Sequence, residues 1–202
     1  MTSTEVGHGF HQVLNHLRHL HEGHDDLRVF CPFPTDVVAQ PVTARHMGAQ
    51  DHFDAENGLF GEEYAATKTL LKQLGPLAYW RDTYAGTNVS DRFMDEFGCF
   101  NLIGHNGFFK SDHMNAWMVY MPAGLYYPWH QHAAEEMYLC LAGEAVFKKE
   151  GAPDKHMGEG GVTLHASNQP HAMETLDQPV LCYVIWRNEF TTKPVLTYDD
   201  AT

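Results

Sequence analysis

Apolar residues recur at helical spacing near the start of the chain and at strand-like spacing in its second half. Five apolar residues have the i, i+3, i+4, i+7 spacing of one helix face: Phe10, Val13, Leu14, Leu17 and Leu20. Gly23 offers a C-terminal stop, so we predict a first helix over about 8–24. A second predicted helix runs from about 59 to 74 and ends at Gly75-Pro76.

The rest of the chain indicates loops and then strands. Residues 31–56 contain three prolines and are predicted to be loop, whereas the polar, glycine-rich stretch 85–114 is expected to hold the first strands. From residue 115, apolar runs alternate with turn residues. They predict seven strands: 115–121, 125–130, 136–142, 144–149, 161–165, 171–175 and 180–188. So many short strands in succession indicate a sandwich or barrel.

We therefore predict a mainly β protein of two parts. Residues 1–84 form a helical N-terminal region, and residues 85–202 form a β-barrel. Because an amphipathic helix must bury its apolar stripe, the helices are expected to pack on one face of the barrel and to help close its site.

Composition limits the classes of partner. The 202 residues carry a formal net charge of −13, with 26 acidic against 13 basic side chains, which disfavours nucleic acid and anionic membranes. No apolar run has the length of a membrane span, and the start does not resemble a signal peptide. The four cysteines are scattered; Cys140 and Cys182 lie in apolar runs and are predicted to be buried thiols. A cytoplasmic protein is expected.

Histidine is abundant, with fifteen in the chain. Six fall in the first predicted helix, five of them beyond its first turn: His11, His16, His19, His21 and His24. They can be interpreted as a metal-binding helix or as a solvated helix face. We favour the solvated face, because an ordered metal site also needs ligands from elsewhere.

A second group of histidines has the spacing of a metal site. His130 and His132 are two residues apart, and residues i and i+2 of a strand point to the same face. Glu136 follows after a short turn and can add a carboxylate, and His171 lies on a later predicted strand. Three imidazoles and one carboxylate suit Zn, Fe, Mn, Co or Ni.

The segment around these residues matches a known motif. Residues Gly124 to Gly143 fit the first cupin motif, G-x5-HxH-x3-E-x6-G, at every fixed position. The predicted fold is therefore a cupin, a double-stranded β-helix or jelly-roll barrel. Glu135 is the alternative carboxylate, but the spacing after His132 favours Glu136, and strand alternation turns Glu135 outward.

The second cupin motif, G-x5-PxG-x2-H-x3-N, is matched at Gly160 and His171. Three fixed positions differ: Ala166, Asn168 and Thr175. Asn tolerates the left-handed conformation better than most residues, so the turn at Asn168 can survive. His165 is a competing ligand candidate, but it lies off the motif and is interpreted as structural.

Tyr138 lies two residues beyond Glu136 and is predicted to share its inward face. A buried tyrosine is most often core, but a neighbouring divalent cation lowers the phenol pKa from about 10 and makes a phenolate base plausible. Further aromatic residues lie nearby: Trp117, Tyr126, Tyr127, Trp129 and Trp186. They pack the barrel or line a pocket, where they would attract a cationic ligand by cation–π contact.

These residues resemble the cupin-type dimethylsulfoniopropionate (DMSP) lyases of marine bacteria. The resemblance rests on three segments: Tyr-Tyr-Pro-Trp-His130-Gln-His132-Ala-Ala-Glu-Glu136-Met-Tyr138, Gln-Pro-His171-Ala-Met and Val-Ile-Trp186-Arg. It implies one divalent metal ion with four ligands: His130, His132, Glu136 and His171. It also implies Tyr138 as the base, Tyr127 and Trp186 as substrate-pocket residues, and β-elimination of DMSP to dimethyl sulfide and acrylate.

Other functions fit the same ligand set. The main alternative is another metal-dependent cupin enzyme acting on a small carboxylate, either an iron dioxygenase, which would need oxygen, or an isomerase. A small-molecule sensor is disfavoured, because the acidic chain has no basic recognition helix. The expected partner is a small cationic carboxylate, and a homodimer is the default expectation for a cupin.

Overall fold

Helices lead and strands follow in the computed structural model, which describes residues 3–198. The helices are α1 (Ser3–Gly23), α2 (Asp25–Phe30), α3 (Gly48–Ala55), α4 (Ala65–Leu74) and α5 (Asp91–Glu96), with a 3-10 turn at Gly75–Leu77. The strands are β1 (Val38–Ala39), β2 (Gly98–Ile103), β3 (Phe109–Lys110), β4 (Asn115–Met121), β5 (Tyr126–Gln131), β6 (Glu135–Lys149), β7 (Lys155–Gly158), β8 (Val162–His165), β9 (His171–Glu174), β10 (Val180–Arg187) and β11 (Val195–Leu196).

Strand β6 joins the two halves of the barrel. The strands follow the order β1-β3-β2-β4-β10-β6-β9-β5-β11, and β7 and β8 also pair with β6. The first residues of β6 pair with β8 and β10, while its later residues pair with β7 and β9. The sequence predicted two strands here, because Gly143 reads as a turn residue.

Gly143 allows the single long strand to pass from one half to the other. Its φ of +69° lies in the left-handed region, which favours glycine. A Cβ atom at this position would lie 1.8 Å from the carbonyl oxygen of Pro179, so no other residue fits without moving β10. The residue that the sequence presents as a turn thus forms a bend within one long strand.

The central strands are buried on both faces. In β4, Met118 and Tyr120 point toward the helices, whereas Trp117 and Val119 point into the barrel. Both sets are apolar, so the period-two alternation of a half-exposed strand is absent from the sequence. Strand β10 has the same arrangement.

The helices supply the layer that covers the outer face of these strands. Each of the first four helices contributes a fully buried apolar side chain: Leu17, Leu27, Phe53 and Leu71. They share one apolar core with Met118 of β4 and Tyr183 of β10. The division of the chain at residue 84 stays a prediction, and α5 lies beyond it.

Two expectations about the N-terminal region were wrong. Residues 31–56 are not all loop, because Phe53 buries its ring against Trp80 and Tyr120 and holds α3 on the sheet. The second predicted helix begins only at Ala65. The Phe10 side chain lies outside the part of the chain that is described.

The histidines of α1 are not all solvated. His21 is fully buried, and its Nε2 donates to the carbonyl oxygen of Cys31 over 2.6 Å. Its Nδ1 lies 3.3 Å from the Tyr183 hydroxyl, so a histidine ties α1 to the sheet. The prediction of buried thiols is confirmed, since all four cysteines are buried and free. Among residues 3–198, no helix combines the length and apolarity needed to cross a membrane.

If the helical layer completes the core, Leu71→Ala will destabilise the protein by about 2–5 kcal/mol, because it leaves a cavity between α4 and the sheet. Leu77→Ala is the matched control, since Leu77 is 59% exposed; it will change stability by less than about 0.5 kcal/mol. The free energy of unfolding in urea measures both. Equal effects would contradict a shared core.

Candidate metal centre and cavity

The four predicted ligands come together inside the barrel. His130 of β5 and His171 of β9 are direct partners in the antiparallel pairing of these strands. His132 follows β5, and Glu136 lies on β6. All four side chains are buried, with at most 3% of each residue exposed.

Hydrogen bonds at Nδ1 orient the three imidazoles of His130, His132 and His171, so that each Nε2 keeps a free electron pair. In each ring Nδ1 lies 2.8–3.0 Å from a backbone carbonyl oxygen. The accepting residues for His130, His132 and His171 are, in turn, Pro128, Ala134 and Gln169. A carbonyl only accepts, so Nδ1 carries the proton and Nε2 is left as a donor of electrons, as in metal-binding histidines.

The spacing of the ligand atoms fits a metal ion. Oε2 of Glu136 lies 3.4 Å from Nε2 of His132 and 3.1 Å from Nε2 of His171. Tetrahedral coordination with bonds of about 2.0–2.1 Å places ligand atoms roughly 3.3 Å apart. Neither buried Nε2 has a hydrogen-bond partner among the described residues. A cation between these atoms would satisfy all of them.

His165 also belongs to this cluster, although it lies off the second cupin motif and the sequence ranked it behind His171 as a ligand candidate. It pairs with Glu136 across β8 and β6, is 1% exposed, and places Nδ1 2.9 Å from Oε2 of Glu136. Glu136, His165 and His171 could also form a ligand group of their own. Because the Nδ1 proton of His165 goes to the carboxylate, we interpret His165 as the residue that orients Glu136.

The electrostatics of the cluster centre on Glu136. Burial alone would raise the pKa of its carboxyl, but the surrounding imidazoles, His132 first and then His165 and His171, hold this pKa well below its usual range. Burial opposes a charge on His132, yet the carboxylate outweighs it and raises the His132 pKa. Burial and His171 lower the pKa of His165 to about 4. The carboxylate therefore stays ionised and needs a positive partner.

Two predicted pocket residues pack directly on the ligands. Trp186 donates its Nε1 proton to Oε1 of Glu136 over 2.6 Å, and its ring stacks on His132 with centroids 4.2 Å apart. Tyr127 stacks on His130 at 4.0 Å, and its hydroxyl lies 2.8 Å from that of Tyr84. Both residues line a cavity that also contains Glu136.

A break in the strand register brings Tyr127 to the cavity. Regular alternation would put Tyr127 and His130, three residues apart, on opposite faces of β5. The pairing of β5 with β9 shifts between these two residues, as at a β-bulge, and both point inward. Tyr126 and Trp129 do not line this cavity; Trp129 contacts Tyr198 instead.

Tyr138 lines the same cavity, two residues beyond Glu136 on β6. It is 4% exposed, and its hydroxyl makes no hydrogen bond within residues 3–198. Burial and the charge of Glu136 raise its pKa well above 10 in the protein alone, opposite to the lowering expected beside a cation. Glu135 points outward, as predicted, and pairs with Arg187 at 2.6 Å.

Comparison with known proteins points to one family. The family model for dimethylsulfoniopropionate lyase matches residues 27–182. The dimethylsulfoniopropionate lyase DddQ of Ruegeria pomeroyi is 41% identical over 201 residues, which cover 100% of this chain and 99% of DddQ. The crystal structure of this DddQ has a TM-score of 0.92 and covers 96% of this chain and 98% of its own.

A second solved structure belongs to the DMSP lyases RdDddP and RnDddQII. It is 30% identical, has a TM-score of 0.89, and covers 94% of this chain and 97% of its own. Together with the strand topology, these matches confirm the predicted fold class, a cupin barrel preceded by helices.

We expect His132→Ala to lose most of its bound metal, because it removes one Nε2 from the point where the ligand atoms converge. His156→Ala is the matched control, since that imidazole is 54% exposed on β7 and far in sequence from the ligands. Elemental analysis after dialysis against Zn²⁺ gives the metal content per chain. Full metal occupancy in His132→Ala would refute the assignment of His132 as a metal ligand.

Proposed function

The chain belongs to the dimethylsulfoniopropionate lyase family, and on that premise we propose that it cleaves DMSP by β-elimination to dimethyl sulfide and acrylate. The observation that carries this proposal is one cavity that contains the hydroxyl-bearing Tyr138, the aromatic rings of Tyr127 and Trp186, and the carboxylate of the cluster, Glu136.

We propose that one divalent ion, Zn, Fe, Mn, Co or Ni, is held by His130, His132, Glu136 and His171. Support comes from the converging Nε2 atoms and from the short distances to Oε2 of Glu136. When bound, such a Lewis acid would bind the substrate carboxylate, stabilise negative charge beside it and favour the anionic form of a nearby phenol.

Tyr138 is the proposed base. Its hydroxyl has no competing partner among the residues described, and the neighbouring imidazoles are committed to Glu136 or to backbone carbonyls. As phenolate it takes the proton α to the carboxylate. The electron pair of that C–H bond forms the C=C bond of acrylate, and the C–S pair leaves on sulfur as neutral dimethyl sulfide.

The aromatic residues are proposed to hold the sulfonium end. The rings of Tyr127 and Trp186 face the cavity while their other groups bind Tyr84 and Glu136. Stacking on His130 and His132 covers one face of each ring and, with these hydrogen bonds, fixes the surface that each ring presents to the cavity. A sulfonium cation against such faces gains cation–π attraction.

Oxygen dependence separates this function from its main alternative. Metal-loaded protein incubated with DMSP under argon should release dimethyl sulfide and acrylate in equal amounts, measured by gas and liquid chromatography. An iron dioxygenase would be inactive without oxygen. No dimethyl sulfide under either atmosphere would refute the proposed substrate.

Tyr138→Phe should fold and bind metal as the wild type does, because the hydroxyl that it removes has no hydrogen-bond partner among residues 3–198. Loss of a general base lowers kcat by about 10²–10⁴-fold. Since the Tyr138 pKa lies above neutrality, wild-type activity should also rise toward alkaline pH, and this rise should be absent in the variant.

Tyr127→Phe is the matched control, because it removes a second buried hydroxyl from the same cavity wall. It should retain most of kcat, since that hydroxyl is already bonded to Tyr84. If Tyr138→Phe keeps more than about a tenth of kcat, the base lies elsewhere; a large loss in Tyr127→Phe alone would move the role to Tyr127.

A further inference from the structure

Two residues on the cavity wall have no place in the reaction as described. Arg81 and Trp117 line the same cavity as Glu136, Tyr138 and Trp186. The guanidinium carbon of Arg81 lies 4.4 Å from the centre of the Trp117 ring, and that ring lies 5.3 Å from Trp186. They therefore stand within one small molecule's length of the candidate metal centre.

Trp117 is buried without a hydrogen-bond acceptor. It is 7% exposed, and its Nε1 has no partner in the described part of the chain. Buried indoles normally find an acceptor. The other two buried tryptophans do so: Trp80 donates to the carbonyl oxygen of Gly75 at 2.8 Å and Trp186 to Glu136 at 2.6 Å. An acceptor from outside the chain is therefore expected at Trp117.

Arg81 is a half-buried cation that forms no ion pair with residues 3–198. The adjacent carboxylate, Asp82, is engaged by Arg45 at 2.6 Å. Arg81 instead has a 3.3 Å hydrogen bond to the amide oxygen of Asn101 and its stacking on Trp117. In a chain with twice as many acidic as basic residues, an arginine left without a carboxylate beside a cavity indicates an anionic ligand.

The fold holds both groups firmly. The backbone N–H of Arg81 donates to the carbonyl oxygen of Cys99 on β2, and Asn101 of β2 pairs with Trp117 of β4. Stacking uses the faces of the guanidinium and the indole, whereas their N–H bonds lie in the planes of the rings. The two groups thus offer several donors and no acceptor, which is the pattern that recognises a carboxylate.

We propose that Arg81 and Trp117 form a carboxylate subsite that receives the anionic end of the substrate as it enters and holds acrylate before release. The assignment rests on the proposed lyase function for the identity of the ligand. A cation at Arg81 repels a sulfonium, so the subsite also directs the sulfonium end of the entering substrate away from this wall and toward the rings of Tyr127 and Trp186.

Acrylate binding to the metal-loaded protein, measured by calorimetry without turnover, tests the subsite. Arg81→Gln should weaken acrylate binding at least about ten-fold. Trp117→Phe keeps an aromatic ring but removes the N–H, and should weaken acrylate binding about three- to ten-fold. The metal content should not change. Acrylamide, the uncharged analogue, should bind the wild type and both variants equally.

Arg18→Gln is the matched control. Arg18 also lies over an aromatic ring, at 4.9 Å from Phe33, but on α1 and outside the cavity. It should leave acrylate binding within two-fold of wild type, which excludes an effect of net charge alone. If Arg81→Gln and Trp117→Phe both bind acrylate as the wild type does, or if Arg18→Gln weakens it as much, the subsite is refuted.

Kinetics with DMSP keep the two proposals apart. Arg81→Gln should raise KM at least about ten-fold and leave kcat within a few-fold, because Arg81 is not the base. A wild type that binds acrylate through Arg81 but releases no dimethyl sulfide would refute the lyase function and support the subsite. If the wild type releases dimethyl sulfide but Arg81→Gln leaves KM unchanged, the lyase function is supported and the subsite is refuted.

Discussion

A buried carboxylate is the constraint on which the centre of this protein depends. Glu136 is almost fully removed from water, and an ionised carboxylate in that position is costly unless it is bonded on all sides. Oε1 is bonded by Trp186, and Oε2 is approached by His165, His171 and His132. The contacts tie β10, β8, β9 and the end of β5 to one atom pair on β6. The contacts that compensate the charge of Glu136 therefore also hold these strands together.

The helical layer makes this burial feasible. Without it, the outer faces of β4 and β10 would expose a continuous apolar surface to water. Leu17, Phe53 and Leu71 cover these outer faces, so the central strands can be apolar on both sides. The barrel interior is then free to hold polar groups, since folding does not rely on it alone for apolar contacts.

Local rules predicted the candidate ligands, whereas contacts between distant segments decide the positions of the other cavity residues. The i, i+2 geometry of a strand and the spacing to Glu136 identified His130, His132 and Glu136 because these residues lie within seven positions of one another. The contacts that His165, Arg81 and Trp117 make could not be predicted this way. Their positions depend on β8 pairing with β6 and on β2 pairing with β4, which no short window of sequence encodes.

The same limit explains the errors in the N-terminal region. Three prolines suggested a loop over 31–56, yet burial of Phe53 against Trp80 and Tyr120 stabilises a helix there. His21 reads as one of several solvated histidines, but its partner Tyr183 lies 162 residues away. Helix propensity and composition carry no information about partners at such separations.

Strand β6 has a consequence for how this scaffold can diversify. Glu136 and Tyr138 stand on one strand that is paired along both edges, so the spacing between them is set by backbone and cannot drift by side-chain repacking. Arg81, Trp117 and Tyr127 line the same cavity from other segments, so they share no backbone segment with Glu136 and Tyr138. Substitutions at these wall positions would therefore change which ligand fits the cavity while leaving the spacing between Glu136 and Tyr138 unchanged.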